Sequence, residues 1–212
     1  MDKGLCLRNI EIRDATRVLV SLDEMVAPGE VLTVMGPSGS GKSTLLSYLI
    51  GHLAREFRAT GEVWLDGRRV DQLPPHARRI GILMQDVLLF PHLSVGGNLA
   101  FGLRAGGSRS NRRARVEAAL AEVGLEGFAD RDPATLSGGQ KARVALMRML
   151  LSEPCALLLD EPFSGLDAER RASVRALVFD TARQRGLPVV LVTHDPEDAA
   201  AAGGKIVRLG DG

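Results

Sequence analysis

Cysteine is scarce: Cys6 and Cys155 are the only two in 212 residues. Two thiols so far apart make no disulfide framework, which excludes a cross-linked secreted scaffold and fits a reducing compartment. Aromatic residues make up 4% of the chain, with one Trp and one Tyr, and none precedes Tyr48. Net charge is nearly absent, +1 from 27 basic and 26 acidic side chains. That balance calls for neither nucleic acid nor an anionic membrane surface as partner. No apolar run approaches the ~20 residues of a spanning helix. The start, Met1 to Cys6, has no apolar stretch of a signal peptide. Any membrane role therefore needs another chain to cross the bilayer. No internal repeat or low-complexity segment occurs. What is there, 45% apolar and 25% charged residues, is the composition of one globular domain with a sizeable core.

Leu5, Leu7, Ile10 and Ile12 roughly alternate with polar residues and predict a strand. Val18 to Val20, Val31 to Met35 and Ile80 to Met84 are further short strand-like runs, and Val63-Trp64-Leu65 enters a tight turn at Asp66-Gly67. Leu45, Leu46, Leu49, Ile50 and Leu53 recur at helical spacing. From about 86 helical periodicity takes over, as in Val116, Leu120 and Val123. The stretch Arg104 to Arg113, with Gly106-Gly107-Ser108 and its arginines, reads as an exposed connection between helices rather than an RNA-binding patch. A helix is expected over about 138–151. Ala156 to Leu159 and Val189 to Val192 are apolar on both faces, as central strands of a covered parallel sheet are.

Gly36-Pro37-Ser38-Gly39-Ser40-Gly41-Lys42-Ser43 fills every fixed position of G-x-x-x-x-G-K-[ST], after an apolar strand and before an apolar-periodic helix. The chemistry needs these residue types. Glycines let backbone N–H groups close around phosphate oxygens where a Cβ would intrude, and the helix N-terminus adds its positive end. Lys42 is expected at the β- and γ-phosphates, the Ser43 hydroxyl at Mg²⁺ and Thr44 at the α-phosphate. Downstream, Leu157-Leu158-Leu159-Asp160-Glu161 is a buried strand ending in two carboxylates, at the sheet end where α/β proteins bind ligands. Asp160 suits the Mg²⁺ shell; Glu161 suits polarisation of a water that attacks the γ-phosphorus. Leu136-Ser137-Gly138-Gly139-Gln140 heads a helix that Ser137 can cap, a second set of N–H groups able to meet an anion.

A phosphate loop, LSGGQ and LLLDEP in this order resemble the ATP-binding subunits of ABC transporters, over essentially the whole chain. The resemblance implies an α/β fold: a P-loop NTPase core with a mainly parallel sheet, an N-terminal antiparallel β subdomain and an inserted α-helical subdomain at about 86–150, all within a single domain 1–212. It implies an ATPase using ATP and Mg²⁺. Gln85 matches the family's lone glutamine, which touches Mg²⁺ and the attacking water. Ser164-Gly165-Leu166-Asp167 matches the loop that crosses the dimer interface. His194 matches the switch histidine at the γ-phosphate. Two copies are implied to pair head to tail, with Ser137, Gly138, Gly139, Gln140 and Asp167 acting in trans. The implied partners are a second copy, integral membrane permease subunits and any substrate-binding protein, at the cytoplasmic face of the cell membrane, with no nucleic acid. The short build and the Thr193-His194-Asp195-Pro196-Glu197-Asp198-Ala199 ending look most like importer subunits. An export or lipid-extraction ATPase is the alternative. A soluble ABC ATPase of repair or translation would carry a coiled-coil insertion or a second ATPase domain, and the chain shows neither.

The sequence departs from the family in places. The aromatic ring expected upstream of the phosphate loop falls around Arg13 to Arg17, where either an arginine guanidinium stacks in its place or adenine is held loosely, and a weaker preference for ATP over GTP is expected. Lys141-Ala142-Arg143 replaces the usual Arg-Gln-Arg. The chain stops at Gly212 soon after the strand-like Lys205 to Leu209, so no regulatory domain is expected. Val87 to Pro91 is apolar for a surface segment, and Phe90 or its neighbours are expected to line a groove for the permease.

Overall fold

Alternation of buried and exposed side chains sets Leu5–Arg13 (β1) and Val18–Val26 (β2) as a hairpin, one face on the core. Strand β2 runs well past the Val18 to Val20 expected from the sequence, because pairing with β1 carries it on through Leu22 and Val26. Arg58–Leu65 (β4) and Arg68–Arg69 (β5) complete a four-stranded sheet of order β2-β1-β4-β5, with antiparallel pairs throughout. A second, five-stranded sheet contains Val31–Met35 (β3), Ile80–Leu83 (β6), Ala156–Asp160 (β7), Val189–Val192 (β8) and Lys205–Arg208 (β9), in the order β6-β7-β8-β3-β9. The pairs β7–β8, β8–β3 and β3–β9 are parallel. Every residue of β3 and β8 is buried, and so is β7 up to Asp160. The structure is a computed structural model and describes residues 3–210; Met1, Asp2, Asp211 and Gly212, the ends of the expected 1–212 domain, lie outside the described residues.

The chain divides into two compact units. The first comprises Met1–Ile82, Cys155–Glu161 and Phe179–Gly212. Its core joins Leu5, Ile12, Val34, Leu46, Leu158 and Val190. Each such side chain contributes roughly 1.5–3 kcal/mol by leaving water. Helix α1 (Lys42–Ile50) ends where Gly51 takes a left-handed cap, so Leu53 lies beyond it, and the single turn Pro75–Arg78 (α2) precedes β6.

The second unit comprises Leu83–Pro154 and Pro162–Val178. It holds α3 (Val95–Gly102), α4 (Arg109–Glu122), α5 (Gly138–Leu150) and the start of Ala168–Gln184 (α6). Helices α3 and α5 approach so closely that a Cβ at Gly102 would lie 2.0 Å from the Arg148 carbonyl oxygen. The connection expected over Arg104 to Arg113 is shorter than that. Ser108 caps α4, its Oγ accepting from Asn111 N–H, which puts Arg109, Arg112 and Arg113 on the helix. Arg112 turns back to donate to the carbonyls of Arg104 and Ala100. No helix among the described residues is long and apolar enough to cross a membrane.

Candidate functional site

In the first unit the phosphate loop leaves the carboxyl end of β3 and enters α1. Gly36 has φ 154, and a Cβ there would lie 2.5 Å from the Leu209 carbonyl oxygen and 2.7 Å from Ser40 Oγ, so only glycine fits. Lys42 is buried and spans the loop, its Nζ donating to the carbonyls of Gly36 (2.7 Å) and Pro37 (2.8 Å). The ammonium is thereby held at the mouth of the loop, with its charge pointed where phosphate oxygens would enter. Pro37, Ser38 and Gly39 are exposed along the rim, Ser43 is exposed at the helix start and Thr44 is half-buried. Ser40 Oγ is buried with no hydrogen-bond partner among the described residues.

Strand β7 delivers the two carboxylates to this place. Burial pushes the Asp160 carboxyl above the ordinary 3.8, and the neighbouring Glu161 charge adds to the rise; a hydrogen bond from the Ser43 hydroxyl and the Lys42 charge oppose it. Ser43 and Asp160 thus pair two hard oxygen donors, one a carboxylate whose ionisation a cation would favour. This suits Mg²⁺, which takes one or two protein oxygens and completes its shell with water and phosphate. Among the described residues no group of three or more His, Cys, Asp or Glu could hold a metal unaided, and a phosphate-bound cation needs none.

Glu161 carries φ 44, a left-handed conformation for a non-glycine residue, and its N–H bonds the Val192 carbonyl at 2.9 Å. Strain of this kind costs about 1–3 kcal/mol and persists where the surroundings hold it. Its Oε1 lies 2.9 Å from His194 Nδ1. His194 is thrown outward just past β8: Thr193 stays buried, and Asp195 caps Pro196–Ala202 (α7) by accepting from Glu197 N–H. Lys42, Ser43, Asp160, Glu161 and His194 therefore all belong to one unit, with Glu161 and His194 in direct polar contact.

The remaining expected residues belong to the second unit. Gln85 is exposed just after β6. Ser137 and Gln140 form a complete capping box at the start of α5: Ser137 Oγ accepts from Gln140 N–H, and Gln140 Oε1 accepts from Ser137 N–H. Gly138 and Gly139 form the first turn, and the stem of Arg170 lies 3.7 Å from where a Gly139 Cβ would stand. Asp167 caps the start of α6 by accepting from Arg170 N–H and also pairs with the Arg170 guanidinium at 3.2 Å.

Sequence reasoning missed Asn98 and Arg148. Asn98 is fully buried; its Oδ1 accepts from Phe90 N–H, and its Nδ2 donates to the carbonyls of Phe90 and Leu93. Arg148 donates to the Leu88 carbonyl at 2.7 Å and covers the Phe90 ring at 5.0 Å. Together they fasten the segment that follows Gln85. Phe90 itself is half-buried, whereas Leu88 and Phe101 are 76% and 68% exposed. Leu88 and Phe101, with Met84 just before Gln85, are thus apolar side chains that face water in this unit.

Comparison with known proteins places this geometry in a family. The family model described as ABC transporter matches residues 19–164. The ABC transporter ATP-binding protein YnjD of Escherichia coli K12 is 52% identical over 198 residues, covering 93% of this chain and 91% of its own length. The thiamine import ATP-binding protein ThiQ of Jannaschia sp. CCS1 is 44% identical over 211 residues, 98% of this chain and 90% of its own. The spermidine/putrescine import ATP-binding protein PotA of Oleidesulfovibrio alaskensis is 43% identical over 200 residues, 94% of this chain but 53% of its own length; the chain spans about half of that relative.

Proposed function

The chain belongs to the ABC transporter family as an ATP-binding, ATP-hydrolysing subunit, and from that premise we propose that two copies pair head to tail and drive import through separate membrane permease chains. The observation that carries the catalytic part is the set around the phosphate loop: Lys42 pinned across its mouth, Ser43 beside Asp160, and Glu161 against His194. Lys42 and the loop N–H groups hold the β- and γ-phosphates. Ser43 and Asp160 would hold Mg²⁺, which would supply charge neutralisation at the phosphate oxygens. Glu161 orients the attacking water and accepts its proton. His194, anchored by that carboxylate, reaches the γ-phosphate and keeps Glu161 aimed.

The pairing is supported by the distribution of the motifs, since each copy carries a phosphate loop and a separate capped helix start whose N–H groups suit an anion. Ser137, Gly138, Gly139 and Gln140 would meet the partner copy's ATP, and Asp167 would cross to it. Import is supported by the printed names of the thiamine and spermidine/putrescine relatives. In this reading the chain works at the cytoplasmic face of the cell membrane, with the permease and any binding protein choosing the solute. The test is capture of tagged Glu161→Gln protein with ATP from detergent-solubilised native membranes, followed by mass spectrometry. A multi-spanning protein in the eluate supports transport. Soluble partners alone, from a preparation in which a control membrane complex survives, would leave ATP hydrolysis standing without it.

A further inference from the structure

The sequence offers no aromatic ring ahead of the phosphate loop, and the structure shows what stands beside the loop in its place. Within the first unit a cavity of about 450 Å³ opens there, lined by Arg17, Val18, Leu19 and Ser21 of the hairpin, by Arg208 at the end of β9 and Gly210 beyond it, and by Ser40 of the loop itself. Arg13, the other arginine of the hairpin tip, is no part of it, because its guanidinium is paired with Glu11.

Both lining arginines are set by backbone devices. Asp14 closes the hairpin turn, accepting from the N–H groups of Thr16 and Arg17 and from the Thr16 hydroxyl, while Asp14 N–H donates to the Arg17 carbonyl. Arg208 is registered against Met35, the residue immediately before the loop. Neither guanidinium has a hydrogen-bond or ion-pair partner among the described residues, and no described carboxylate lines the cavity. The wall between them is apolar, with Val18 47% exposed. Continuity with the loop is direct: Ser40 belongs to both, and Leu19 lies 3.1 Å from where a Cβ on Gly41 would stand.

A nucleotide whose phosphates occupy the loop has to lead its base out past this wall. We propose that the cavity is the base site and that Arg17 and Arg208 read the base there, one plane stacking and the other donating, so that the chain binds guanine nucleotides at least as tightly as adenine nucleotides. The inference rests on the phosphate-binding reading of the loop. Guanidinium groups offer donors and no acceptor, and they stack on nucleobases. Guanine presents O6 and N7, both acceptors; adenine keeps N7 but sets an amino donor where O6 would be. Two guanidinium groups, which donate and cannot accept, therefore favour the guanine edge, and hypoxanthine, which keeps O6 and N7, follows guanine; the Ser21 and Ser40 hydroxyls that also line the cavity donate or accept and suit either base.

The experiment is equilibrium binding of ADP, GDP and IDP with Mg²⁺ to the full chain, by calorimetry. GDP and IDP are expected to bind at least as tightly as ADP. The double variant Arg17→Lys/Arg208→Lys keeps the charge and loses the planes; it should weaken GDP and IDP about tenfold and ADP clearly less. Arg17→Ala/Arg208→Ala should do the same, which guards against a lysine finding its own contact. An ADP preference above about tenfold in the native chain, or an ADP:GDP ratio that both double variants leave unchanged, would overturn the inference. Lys42→Ala separates the two levels: if it abolishes all binding while the arginine variants leave the ratio alone, the phosphate loop stands and the base site falls. If nucleotides bind undiminished to Lys42→Ala, the phosphate reading falls and takes the base site with it.

Discussion

A buried carboxylate whose pKa is raised works against the fold whenever it is ionised, and Asp160 is in that position. Its protonated form is the one that burial favours. Its contribution to stability is therefore fully present below the ordinary carboxylate pKa of 3.8 and is lost as pH rises through the higher folded-state value. At neutral pH, without nucleotide, Asp160→Asn should melt at a higher temperature than the native chain, and the gap should close as pH approaches the ordinary carboxylate range. Added Mg²⁺ and ATP should raise the melting temperature of the native chain and leave the variant almost unmoved. Melting curves across pH with and without ligand read both effects. Glu161 and Lys42 divide binding from chemistry. Glu161→Gln keeps the side-chain volume and loses the proton acceptor, so turnover should fall by roughly 10²–10⁴-fold with ATP binding retained. Lys42→Ala should lose binding and turnover together. Equal loss of binding in both would contradict the assigned roles.

At the scale of elements, the motif Ser137 to Gln140 already has work to do within its own chain. Its capping box satisfies N–H groups at both ends of the first turn of α5, an arrangement whose loss costs about 1 kcal/mol. Ser137→Ala/Gln140→Ala should therefore lower the stability of the chain alone by about that much in denaturant unfolding, apart from any effect on ATP-driven pairing. The segment 86–94 is held by the buried Asn98 side chain as well as by Arg148. Asn98→Ala strands the N–H and carbonyl of Phe90, at a cost of roughly 1–3 kcal/mol, and should speed amide exchange there ahead of the rest of α3. Exchange that rises uniformly across the second unit would argue against so local a role.

These elements also mark where sequence reading works. Strands β3, β7 and β8 are legible because their apolar runs are too short for a helix and, in β3 and β8, rich in valine, and the phosphate loop because every fixed position is filled in context. Asn98 was invisible, since in Val95-Gly96-Gly97-Asn98 it reads as a helix surface residue. Its partners at Phe90 and Leu93 are carbonyl and N–H groups, which carry no side-chain signature. The start of α4 was missed because Gly106-Gly107-Ser108 masked the capping serine. The left-handed backbone of Glu161 was missed because only tertiary contacts impose it. Arg17 and Arg208 lie at opposite ends of the chain and in different sheets, and only tertiary packing brings them to one cavity.

At the scale of the whole molecule, each chain carries one phosphate loop with its carboxylates in the first unit and one capped signature helix in the second. A closed two-fold pair would match each loop to the other copy's helix, and such symmetric closure is the common form of assembly. Mixed variants test this directly. Lys42→Ala removes the loop's charge. Gly139→Asp leaves the fold room, since the Arg170 stem lies at ordinary contact distance, and an acid in the first helical turn suits the helix dipole while repelling phosphate. Neither variant should self-associate with ATP. Mixed, the intact loop of the Gly139→Asp chain meets the intact helix of the Lys42→Ala chain, restoring one composite site of the two. Differently tagged chains should therefore co-purify in ATP when mixed and fail to do so when each is paired with itself. A site made within one chain predicts no rescue on mixing, so absence of the mixed complex, with both variants folded by circular dichroism, would rule out the head-to-tail pair.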